Sequence, residues 1–163
     1  MSYTESQARL GLGLDLQLGQ NDANPLSSPP TEETFVSIGE ITDLGKSGAK
    51  ADTPDVTNMQ SPDGFREFIS GLRESGEVSV TVNYVAGDTS QGDVETLFNS
   101  GEKRNWHIVV PPAVSLGEVS SPGYWTFKAI VDAFGDATMS PDKQISQSFK
   151  LKISGKYAFT ATP

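Results

Sequence analysis

Few side chains in this sequence have the means to do chemistry, and their spacing does not gather them into a site. His107 is the sole histidine. It falls between Trp106 and Ile108 on a predicted strand, at the parity opposite the apolar residues. A Ser-His-Asp relay through it would need a nucleophile held on a sharp turn, and neither G-x-S-x-G nor a comparable setting occurs. Asp52, Asp55 and Asp63 share one short polar stretch, but their spacing fits no EF-hand loop, and they read as turn-formers. The run GLGLDLQLG contains neither G-x-G-x-x-G nor G-x-x-x-x-G-K-[ST], so it is not a phosphate cradle. A stacking platform of Trp106, Tyr124 and Trp125 fails on geometry. Adjacent residues of a strand point to opposite faces, which separates Tyr124 from Trp125, and Trp106 reads as core. The expectation is a protein with no catalytic residue, no cofactor site and no metal site.

Composition narrows the alternatives. The 163 residues hold 21 Asp and Glu against 12 Lys and Arg, a formal charge of -9. Such a surface repels phosphate backbones and argues against a protein that grips nucleic acid. It suits a conduit, because each basic foothold would add counterion-release affinity and slow the passage of DNA. The absence of cysteine excludes disulfides, thiolate metal sites and thiol nucleophiles. Nothing in MSYTESQARLG has the basic-then-apolar order of a signal peptide, and no apolar run reaches membrane-span length, so a soluble chain without membrane contact is expected. At this length one domain is expected.

The elements that position these residues are mostly strands. Leu10, Leu12, Leu14, Leu16 and Leu18 recur at period two, which reads as an extended, amphipathic arm. A polar, Pro-rich linker follows, so that residues 1–31 form an arm able to dock on its own domain or on a neighbour. A β-sandwich domain over residues 32–160 and a short tail at 161–163 complete the division. Val36 and Ile38 alternate in a first strand of that domain. The region Lys46–Gly64, with two prolines and little apolar periodicity, reads as a long functional loop. FREFISG and EVSVTVNYV, joined through LRESG, read as a hairpin, with Val78, Val80, Val82 and Tyr84 on one face and Glu77, Ser79, Thr81 and Asn83 on the other. One helix is expected over 91–100, with Ser90 or Asp93 as its N-cap and Gly101 as its stop. Strands follow at Trp106–Val110, Trp125–Ala133 and Phe149–Ile153, and YAFTATP is a final strand or tail. The fold class is therefore all-β with one short helix, a sandwich or barrel of two packed antiparallel sheets.

The run TPDVTNMQSPDGFREFISGLRESGEVSVTVNY resembles the major tail tube proteins of long, non-contractile phage tails, in which D-V-T precedes G-x-R-E-x-x-x-G-L-x-x-x-G-E-V. The matching positions are Asp55, Val56, Thr57, Gly64, Arg66, Glu67, Gly71, Leu72, Gly76, Glu77 and Val78. WTFKAIVDAF and FKLKISGKYAF are similar to that family in order and spacing, so the likeness runs from about Phe35 to Phe159.

The resemblance implies a non-enzymatic subunit assembled six to a ring, with rings stacked into a tube in the virion, synthesised in the host cytoplasm. The Glu77–Asn83 face (Glu77, Ser79, Thr81, Asn83) together with Glu67 would line an acidic or polar lumen. Lys46, Lys50, Asp52, Asp55, Thr57 and Asp63 would belong to a loop reaching the adjacent ring. The family analogy also implies tape-measure, tail-tip and terminator proteins as partners, and DNA passing without sequence-specific binding. Two other readings stand beside it: the inner tube of a contractile tail or secretion machine, and a monomeric β-sandwich ligand-binding module.

Overall fold

The computed structural model describes residues 13–20, 34–112, 114–115, 118–119 and 123–161. Its strands are β1 (Asp15–Gly19), β2 (Phe35–Ser37), β3 (Ile41–Lys46), β4 (Lys50–Ala51), β5 (Arg73–Glu74), β6 (Glu77–Asn83), β7 (Arg104–Val110), β8 (Val114–Ser115), β9 (Glu118–Val119), β10 (Gly123–Ser140), β11 (Lys143–Ile153) and β12 (Ala158–Ala161). Among the described residues one α-helix, α1, spans Thr89–Ser100.

Eight strands form one antiparallel sheet in the order β2-β1-β7-β10-β11-β6-β3, with β12 pairing the start of β10. Laid flat, this path would hold its two edges ~29 Å apart at the usual strand spacing. Yet β2 and β3, the two edges, are consecutive in the chain and separated only by Ile38, Gly39 and Glu40. A tether of four peptide steps spans at most about 14 Å. The sheet must therefore curl until its halves face each other, the barrel-like sandwich expected from the sequence. The corner is tight: Ile38 is buried, and Glu40 takes a left-handed φ of 61° while its carbonyl accepts from Asn83 N–H at 2.8 Å.

Cross-strand partners share a face, and the register lines up Leu18 with Trp106 and Phe127, Leu16 with Ile108 and Trp125, and Val131 with Leu151 and Val78. These residues, with Val80, Val82, Ala129, Phe149 and Ile153, make the enclosed core. Lys46 shows the closure directly. From the last position of β3 its Nζ lies 3.7 Å from the Tyr157 ring centroid and 5.2 Å from that of Trp125 on β10.

Four expectations change. First, β1 is an ordinary strand of the home sheet, between β2 and β7, with Leu16 and Leu18 buried and Leu14 packed against the core. The domain thus begins inside the expected arm; Leu10 and Leu12 lie outside the described residues. Second, FREFISG does not pair with β6, whose two neighbours are β3 and β11. Third, the alternation of β10 breaks between Val131 and Ala133, so Ala133 pairs with exposed Lys150 and Phe134 takes the inward place opposite Phe149. One extra residue flips the face, as a β-bulge must. Fourth, α1 begins two residues early because Asp88 is its N-cap, accepting from Ser90 N at 2.8 Å and Gln91 N at 3.2 Å. Gln91, three positions on, ties the helix to the chain leaving β6, accepting from Val85 N and donating to the Asn83 carbonyl. Gly101 ends the helix in the left-handed region, as expected.

Candidate assembly surface

Residues 47–76 interrupt a hairpin. Strands β3 and β6 meet where Ser47 N–H donates to the Glu77 carbonyl at 2.8 Å, and everything between is an excursion. It is no featureless loop. Lys50 and Ala51 pair with Glu74 and Arg73, and the ladder continues through Asp52 N to Leu72 O, Gly71 N to Asp52 O, Ile69 N to Pro54 O and Val56 N to Glu67 O. A two-stranded ribbon results, turning near a short 3-10 segment at Pro62–Gly64 in which Asp63 takes a φ of 56°. Gly71 sits so close that an added Cβ would meet the Asp52 carbonyl at 3.2 Å.

The tip is knit by the very residues that carry the D-V-T and R-E motifs. Asp55 Oδ1 accepts from Thr57 N at 2.9 Å and from the Thr57 hydroxyl, which holds the Asp55 carboxyl below its usual pKa. Thr57 Oγ1 accepts in turn from Glu67 N at 3.0 Å, while Ser61 Oγ donates to Glu67 Oε2 at 2.7 Å. Arg66 lies 4.0 Å from Asp55. Glu67 is thus a fastening of the ribbon, on a different element from β6. A two-stranded ribbon alone is marginal in water, and these side-chain bonds hold it together.

What the ribbon lacks is cover. Val56, Met59, Phe65, Phe68, Ile69 and Leu72 are all exposed, Met59 completely and Leu72 by 84%. Apolar groups massed on one projection mark a contact surface. Of the expected loop residues, Lys50, Asp52, Asp55, Thr57 and Asp63 lie on this ribbon, whereas Lys46 belongs to β3 and points inward to Trp125 and Tyr157.

The second surface is the outer face of β6. Ser79 is exposed and Glu77, Thr81 and Asn83 are half-buried, alternating with the buried valines. Beside them in register stand Lys150, opposite Ser79, and Lys152, opposite Glu77. The alternation in Phe149-Lys150-Leu151-Lys152-Ile153 carried that signal, although the expected face had only hydroxyl, amide and carboxylate groups. Lys152 is engaged by Glu74, and by Glu77 at 3.9 Å; the pairing lowers the Glu74 pKa and raises that of Lys152. These groups and the ribbon's root enclose an open groove of about 600 Å³.

His107 has no part in either surface. Its ring stacks on Phe35 with centroids 3.6 Å apart and meets the tilted Tyr124 ring at 4.6 Å, and burial alone pushes its pKa down to about 4. That is the setting of a packed, neutral imidazole. Tyr124 and Trp125 do face opposite ways, the latter meeting Tyr157 and Phe159. Among the described residues no group of His, Asp and Glu could hold a metal ion, and no helix is long and apolar enough to cross a membrane.

A curled all-β body with one helix among the described residues, a fastened ribbon whose apolar groups are exposed, and a polar strand face point to a structural subunit. The Lambda phage tail tube protein family matches residues 17–160, and the chain belongs to it: it is a structural subunit of a phage tail tube. No curated protein matches. Among solved structures, the chain is similar to the tail of an empty gene transfer agent particle refined with C6 symmetry, at 21% identity and a TM-score of 0.64, over 94% of this chain and 100% of that one. It is also similar to the SPP1 tail tube (12%, TM-score 0.58, 91% of this chain and 77% of that one). The sheath–tube complex of an extracellular contractile injection system compares as well (13%, TM-score 0.60, 91% and 88%). At these identities the likeness establishes a shared fold.

Proposed function

We propose that the chain assembles six to a ring in the virion tail, that rings stack into a tube through the ribbon, and that DNA travels the lumen past the outer face of β6 and β11. The protein does no catalysis; its partners are further copies of itself, with tape-measure, tail-tip and terminator proteins at the ends by family analogy. The observation that carries this reading is the ribbon: a projection fastened by its own hydrogen bonds on which six large apolar side chains stand exposed. The β6 face supports the conduit. Ser79, Thr81 and Asn83 offer hydroxyl and amide groups and Glu74 and Glu77 engage Lys152, so that of the two lysines beside β6 the exposed Lys150 is the one left to meet a phosphate backbone.

Placing Ser79→Lys with Thr81→Lys on this face tests the path. Tubes of normal width are expected, with DNA ejection slowed by at least ~10-fold in low salt and recovering as salt rises, since each new lysine adds a phosphate contact. Ejection that is unchanged at every salt concentration puts the face outside the channel.

A further inference from the structure

Strand β6 joins two unlike surfaces. The ribbon springs from its Glu77 end. Past Asn83, ~20 Å away at about 3.3 Å per residue, lies a groove of about 550 Å³ lined by Tyr84, Val85, Phe134, Met139, Ile145 and the acidic pair Asp88 and Glu95. Met139 is 73% exposed, and Tyr84, Val85 and Ile145 are exposed as well. The groove is apolar at its walls, and its charged lining residues, among those described, are both acidic.

The ribbon offers it apolar groups and one cation. Its tip offers Phe65 and, beside it, Arg66, whose side chain is 77% exposed with Asp55 at the 4.0 Å limit of contact. The aromatic ring suits the apolar walls, and the guanidinium is the tip's one cation, beside Asp55, Asp63 and Glu67, to set against Glu95, since Asp88 already caps α1. The ribbon cannot fill its own groove, because the two surfaces leave opposite ends of one strand.

We infer that the ribbon of one copy seats in the Tyr84–Met139–Ile145 groove of a copy in the next ring, with Phe65 between the apolar walls and Arg66 against Glu95. The contact is heterologous: donor and acceptor surfaces differ, so pairing leaves a free ribbon at one end and a free groove at the other, and growth continues along an axis. This inference rests on the proposed function and adds the receiving site.

The chain has no cysteine, which makes the test clean. Proteins carrying Phe65→Cys and Ile145→Cys are mixed, grown into tubes under reducing conditions, and then oxidised. Covalent dimers are expected from the mixture and not from either protein alone, and the double variant F65C/I145C should give a ladder of many chains. Tubes that form without this cross-link overturn the groove assignment and leave the proposed function standing. Should the cysteine proteins fail to polymerise, charge reversal decides. Glu95→Arg is expected to cut tube yield at least ~10-fold and R66E/E95R to restore it; no loss in the first, or no recovery in the second, overturns the contact. Wild-type protein that forms no tubes at any concentration removes both readings.

Discussion

Strand β1 and the ribbon are both rich in apolar residues, and from the sequence both could serve a neighbour. They differ in where those residues end up. Leu16 and Leu18 are buried in the core of their own chain, bonded on either side by β2 and β7, and nothing of their apolar surface is left for another copy. Phe65, Phe68, Ile69 and Leu72 bury little in theirs. A projection whose polar groups are satisfied internally while its apolar groups are not is stable enough to persist and incomplete enough to bind.

This contrast is open to direct attack. The largest effect belongs to Leu16→Ala: filling none of the space left between Trp106, Ile108 and their neighbours should cost about 3–4 kcal/mol of folding stability, read by denaturant unfolding. A smaller, pH-dependent effect sits beside β1 at His107. Its pKa is pushed from 6.5 to about 4 on folding, so the unfolded chain takes up a proton that the folded one refuses. Stability is complete above about pH 6.5 and falls as pH drops from there towards about 4. Between pH 7.5 and 4.5 the wild type should lose about 1–2 kcal/mol more than His107→Gln, allowing for the ring's partial exposure; equal losses would place the titrating group elsewhere. The smallest effect on folding is expected from Leu72→Ser, within about 0.5 kcal/mol of wild type, although tube yield should fall sharply. If Leu72→Ser destabilised the monomer as Leu16→Ala does, the ribbon would be core.

How far the sequence foretold all this depends on whether the deciding contact was local. Period-two alternation in β6, β7 and β11 located the strands and their buried faces, because side-chain direction in a strand is a local property. The leucine run announced β1 equally well, but its partners lie some 20 and 90 residues further along the chain, and no local pattern names them. Phe65, Phe68, Ile69 and Leu72 carry helical spacing, yet backbone pairing with Asp52, Pro54, Asp55 and Val56 keeps residues 67–72 extended. Nothing in Val131-Asp132-Ala133 signalled a bulge. The β6 face was legible except for Lys150 and Lys152, which the next strand brings alongside, and FREFISG was read as a hairpin partner of β6 where the chain instead turns back on Asp55 and Thr57.

Negative-stain electron microscopy of concentrated protein, with and without the ribbon, tests the central claim most directly. Replacing residues 49–74 by a short glycine turn rejoins β3 and β6 where Ser47 already bonds Glu77, so the unfolding transition should stay within about 1 kcal/mol of wild type. Wild-type protein should form hollow tubes of one width and the shortened protein none; tubes from the shortened protein would contradict the account.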